Sequence, residues 1–169
     1  MNKKVLYLVQ ASLIASIYAA VTYLLAPISY GPVQFRISEA LTVLPAVFPA
    51  AVPGLFIGCL ISNIVGGFGI WDIVFGSLAT LIAAYLTSKL KNKWLIPAPP
   101  VIVNALIIGT MLSYIFKMPY IFTIQTVAFG ELVVCYGLGV PLYMLFNKNK
   151  RRFGIEEETP ESTIRINNP

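Results

Sequence analysis

The sequence predicts an all-α, polytopic membrane protein with six transmembrane helices and both termini in the cytoplasm. Three observations carry that expectation. Hydrophobic residues make up 57% of the 169-residue chain and charged residues only 11%, and the mean hydropathy is +0.79. The apolar residues form runs broken by Pro, Gly and Lys, and a bilayer core takes about 20 such residues per helix. The basic residues gather beside alternate ends of these runs, as the positive-inside rule requires. This length suits one membrane domain, residues 1–146, followed by a polar cytoplasmic tail, 147–169, expected to be disordered.

The first run, 5–26, is too long for the core of a secretion signal and reads as a retained span. Its Ala11, Ala15 and Ala19 share one helix face, making a smooth strip for close packing by another helix, either internal or from a partner. A turn-rich loop follows, 27–35, with Tyr30 and Phe35 placed to act as a lid. Two short runs, 35–48 and 53–68, flank a Pro49…Pro53 break, and Pro53 suits the first turn of the second. Gly54, Gly58, Ser62 and Gly66 give that second run its own strip, read as internal packing. The glycines at 66, 67 and 69 break the chain again, and spans at 70–88, 97–116 and 120–146 complete the set.

Whether the two short runs cross twice or once is decided by charge. With two crossings, Lys3, Lys4, Lys89, Lys91, Lys93, Lys148, Lys150, Arg151, Arg152 and Arg165 lie inside, and only Arg36 and Lys117 outside. A single crossing would put the 89–93 and 148–152 clusters outside. Short spans bounded by Pro and Gly also expose backbone groups at helix ends, which is where transporters tend to bind their ligands.

Four charges stand inside or beside apolar runs: Arg36, Glu39, Asp72 and Glu131. An ionisable group in the bilayer costs about 2.5–3.5 kcal/mol on insertion scales, so such groups usually face a cavity and serve function. Arg36 and Glu39, three residues apart, can pair on one face, either as a structural anchor or as a ligand carboxylate with its orienting cation. Asp72, beside Trp71, opens the fourth span, where an interfacial aromatic and a helix-start acid are also ordinary. Asn63, Asn104 and Gln125 add amides. Glu131 lies roughly 16 Å into the last span at 1.5 Å per residue, with no cation of its own helix in reach. A buried carboxylate so placed is either protonated or awaits a ligand that donates hydrogen bonds. Carboxylates with amides suit a guanine-like edge, and Trp71, Phe35 or Tyr114 could stack on a flat ring.

Other chemistries are excluded. There is no His, and Cys59 and Cys135 lack paired spacing, so neither a metal site nor a His relay is expected and the thiols read as small buried hydrophobes. No nucleophile–base pair suggests an enzyme, and no catalytic residue or cofactor is expected. The net charge of +5 belongs to membrane topology and not to nucleic-acid binding.

The run Val33-Gln34-Phe35-Arg36-Ile37-Ser38-Glu39-Ala40-Leu41-Thr42-Val43-Leu44-Pro45 resembles the signature of the QueT family, and Asp72-Ile73-Val74-Phe75-Gly76-Ser77-Leu78-Ala79-Thr80 supports it. The resemblance covers about residues 5–146. It implies a substrate-binding S component of an energy-coupling factor (ECF) transporter for queuosine precursors, multi-pass in a prokaryotic cell membrane. It also implies a membrane-embedded coupling subunit that meets Ala11, Ala15 and Ala19, and two ATPase subunits, since no GxxxxGK[ST] phosphate loop occurs here. The implied ligand is a deazaguanine base held by Arg36, Glu39, Asn63, Trp71, Asp72, Asn104 and Glu131. The alternatives are an S component for another vitamin, such as riboflavin, and a stand-alone proton-coupled carrier using Glu131 and Asp72.

Overall fold

A computed structural model describes residues 2–30, 35–67 and 69–153, apart from the side chains of 151 and 152. Part of the lid loop (31–34), with the first two motif residues, and most of the tail (154–169) lie outside the described residues.

All regular structure among the described residues is helical. Helix α1 (Lys3–Leu24) is followed by a short α2 (Ala26–Ser29) and a 3-10 helix (Ile37–Ala46). Helix α3 (Ala51–Gly66) carries Pro53 in its first turn, where the missing N–H costs least, and ends on Gly67 at φ 67°, a left-handed cap that favours glycine. Helix α4 (Ser77–Ser88) is entered through a π turn (Asp72–Gly76), and α5 (Ala98–Phe116) follows. Helices α6 (Tyr120–Val134) and α7 (Val140–Lys148) form one continuous rod through a second π turn (Cys135–Gly139). Three helices are long and apolar enough to cross a membrane, Lys3–Leu24, Ala98–Phe116 and Tyr120–Lys148; the other apolar ones are shorter.

The 3-10 segment shapes the site. Its side chains eclipse every third residue, so Arg36, Glu39 and Thr42 stack in one column. Its ten residues, at a rise of about 2.0 Å each, reach about 20 Å instead of the ~15 Å of an α-helix. Pro45 removes one backbone donor inside it, and the Thr42 hydroxyl donates to the Glu39 carbonyl, both of which favour the departure from α geometry.

The most extensive helix pairings are α1 with α3 and α5 with α6. In the first, a Cβ on Gly54 would lie 2.7 Å from the Ala11 carbonyl oxygen, and one on Gly58 2.7 Å from that of Ala15, so only glycine permits this approach. The small strip of α3 therefore meets the alanine strip of α1. One apolar cluster joins Ile14, Tyr18, Val43, Phe48, Leu55 and Ile96; another joins Ala79, Ile108, Met111, Leu112 and Val127. The chain's last described turn is not detached: Phe153 packs edge-on against Phe48 (5.7 Å between ring centres), and its carbonyl accepts from Gln10 at 3.1 Å.

Candidate functional site

A continuous polar cluster occupies the interior between the apolar ones. The stacked column of the 3-10 helix starts it. Glu39 is fully buried; one carboxylate oxygen, Oε1, accepts from the Tyr18 hydroxyl of α1 and lies 4.0 Å from Arg36 Nη1. Its other oxygen, Oε2, has no hydrogen-bond partner, and neither has Arg36 Nε. The Arg36 guanidinium lies 5.0 Å from the centre of the Tyr30 ring and 3.8 Å from Cys59 Sγ.

Around Cys59 three donors converge. Besides Arg36, Asn63 Nδ2 lies 3.5 Å and the Thr80 hydroxyl 3.3 Å from the sulfur. Sulfur is a weak acceptor, so these contacts satisfy the donors poorly. Asn63 is held by a 2.8 Å bond from its amide to the Asp72 carbonyl and by the Tyr30 hydroxyl at 3.3 Å. Gly76 leaves the space this amide needs, because a Cβ there would lie 2.8 Å from Asn63 Nδ2.

Across the cluster, Asn104 of α5 donates to Glu131 Oε1 at 2.9 Å and also stands beside the Glu39 carboxylate. Cys135, one turn beyond Glu131, lies 3.4 Å from Glu131 Oε2 and 3.6 Å from the Glu39 carbonyl. The two carboxylates thus meet around Asn104, while Cys135 ties the Glu131 carboxylate to the Glu39 backbone carbonyl. No cation pairs with Glu131 among the described residues.

Of the residues singled out from sequence, Arg36, Glu39, Asn63, Asn104 and Glu131 come together, with Asp72 contributing its backbone carbonyl and lying within electrostatic reach of Arg36. Trp71 does not join them. It is 49% exposed, stacks on Phe75 at 5.7 Å and meets Tyr114 edge-on at 6.4 Å. Ala11 and Ala15 are buried against α3, so the face they occupy is an internal seam, and Ala19 lies half-buried at its margin. The described flanks of the 27–35 loop pack on the bundle: Tyr30 donates to the Ser62 carbonyl at 3.2 Å, and Phe35 sits edge-on to Phe129 at 6.2 Å.

Sequence reasoning missed Tyr18, Cys59, Thr80 and Cys135. One signal was present for Tyr18, which lies deep inside an apolar run and not at its ends, where membrane tyrosines gather. The thiols carried none, because a buried cysteine passes for a small hydrophobe.

The cluster sets carboxylate oxygens, which accept hydrogen bonds, beside a cation and amide and hydroxyl groups, which donate them.

Comparison with known proteins agrees with this binding chemistry. A family model described as QueT transporter matches residues 8–148. The queuosine precursor transporter QueT of Lactococcus lactis subsp. cremoris (strain MG1363) is 28% identical over 140 residues, covering 73% of this chain and 82% of that protein. No solved structure matches. With the match spanning every helix that contributes to the polar cluster, the chain belongs to the QueT transporter family.

Proposed function

We propose that the protein is the substrate-capturing S component of an ECF-type ABC importer. It takes a queuosine precursor, a deazaguanine base, from the outer side of a prokaryotic cell membrane. The observation that carries this reading is the meeting of Glu39 and Glu131 around Asn104, with a carboxylate oxygen of Glu39 left unpartnered in the interior. Adjacent N–H donors of a guanine-like edge complement that arrangement. The similar Lactococcus transporter, named for queuosine precursors, supports the same substrate class.

In this reading all six apolar segments cross the membrane. Lys3, Lys4, Lys89, Lys91, Lys93, Lys148 and Lys150 flank the cytoplasmic ends, and Lys117 faces outward. The coupling subunit and two ATPases supply the energy. Because Ala11 and Ala15 are occupied by α3, docking uses the remaining face of α1 beyond Ala19. An apolar groove of about 450 Å³ beside it, lined by Ile17, Val21, Ile37, Leu41, Leu138 and Leu142, suits an apolar partner helix.

Binding of deazapurines, riboflavin and other vitamins to the purified protein tests the assignment. Glu39→Gln and Glu131→Gln should each weaken deazaguanine binding by about 1–3 kcal/mol, the scale of a lost charged hydrogen bond. Unchanged affinity in both, with the fold intact, rejects the site. Uptake by the protein alone in liposomes, driven by a proton gradient, would instead establish a stand-alone carrier.

A further inference from the structure

We infer that the site has two chemically opposite poles that read the two ends of a lactam edge. The Arg36–Asn63 pole takes the ligand's carbonyl oxygen in place of the weak sulfur acceptor Cys59. The Glu39–Glu131 pole takes the ring N–H and the exocyclic amine. This assignment rests on the deazaguanine reading and adds to it the orientation of the base and the residues that discriminate its substituents.

The donor pole is under-satisfied. A guanidinium carries five N–H donors. Those of the buried Arg36 meet a sulfur at 3.8 Å and a carboxylate oxygen at 4.0 Å, and its Nε meets nothing. The Asn63 amide also lies 3.5 Å from this sulfur, with one N–H given to the Asp72 carbonyl, and the single Thr80 hydroxyl proton is satisfied by the Gly76 carbonyl at 3.0 Å. A carbonyl oxygen is a far stronger acceptor than a thiol sulfur and would satisfy the Arg36 guanidinium and the second Asn63 N–H.

The acceptor pole begins within 4.0 Å of it. Glu39 Oε2 is buried and unpartnered, and Glu131 lies on the far side of Asn104. The site thus sets the Arg36 donors beside the Glu39 acceptor, with Glu131 beyond Asn104. A 2-amino-pyrimidinone edge carries the complementary groups, a carbonyl beside an N–H and an amine.

Three ligands separate the poles: 7-deazaguanine, 7-deaza-6-thioguanine, in which a weakly accepting sulfur replaces the carbonyl oxygen while the ring N–H and amine remain, and 7-deazahypoxanthine without the amine. Calorimetric titration of the purified full chain should show both altered bases binding about ten- to a hundredfold more weakly than 7-deazaguanine. In Arg36→Met the penalty for the replaced carbonyl oxygen should vanish while that for the missing amine persists. In Glu131→Gln the reverse should hold. Should Arg36→Met not fold, Arg36→Lys, which keeps the charge but not the planar fork, should still lose most of the carbonyl preference. Equal losses for both analogues in every variant would overturn the two-pole assignment while leaving the substrate class intact. Failure of all three bases to bind the unmodified protein would overturn the substrate reading and this assignment with it.

Discussion

Glu39 and Glu131 are both buried carboxylates in apolar segments, yet their surroundings differ. Glu39 shares a stacked column with Arg36 and accepts from Tyr18, so a cation and a hydroxyl offset its burial. Glu131 has an amide and a thiol, Asn104 and Cys135, with no paired cation among the described residues. The contrast teaches that two buried carboxylates can be kept in one interior by different means: Glu39 by a cation and a hydroxyl, with Oε2 left unpartnered, and Glu131 by neutral groups alone.

The largest effect should come from breaking the first setting. Glu39→Ala leaves the buried Arg36 uncompensated and should lower stability by about 3–5 kcal/mol, read as thermal unfolding in detergent. A loss no larger than that of an average core substitution would mean the pair is not structural. Next in size, Asn104→Leu strips Glu131 Oε1 of its donor and should cost about 1–3 kcal/mol by the same measurement. Tyr18→Phe removes a single hydrogen bond to Glu39 and should cost about 1 kcal/mol. The smallest change is expected for Glu131→Gln, which keeps shape and hydrogen-bonding capacity; its stability should stay within about 1 kcal/mol of the unmodified protein even as ligand binding falls. If Glu131→Gln proves as destabilising as Glu39→Ala, the distinction between the two carboxylates collapses.

Much of this was legible before any coordinates. Hydropathy marked the apolar segments, and the Pro and Gly breaks at Pro53 and Gly67 fell at a helix start and a helix end. The i, i+3 spacing of Arg36 and Glu39 placed them on one face whether the segment coiled as α or 3-10, because both repeats bring such positions close. The α1 strip shows what was not legible. Spacing identified Ala11, Ala15 and Ala19 as a surface for close approach, but the same pattern serves an internal neighbour and an external one. Only the glycines of α3 lying against Ala11 and Ala15 decide in favour of the neighbour within the chain. Trp71 stands on the same footing: it adjoins Asp72 in sequence, but the turn there sends its ring outward to Phe75 and Tyr114.

By itself the sequence determined the class of protein, the rough extent of its helices and which ionisable residues stand in apolar segments. These follow from one-dimensional properties: run length against bilayer thickness, and the cost of a charge in an apolar setting. The tertiary structure alone decided which residues meet. Tyr18, Cys59, Thr80 and Cys135 come from four different segments, and their roles depend on helix rotation and on close approach at Gly54, Gly58 and Gly76. No local pattern encodes those, because rotation and approach are set by how all the segments pack at once.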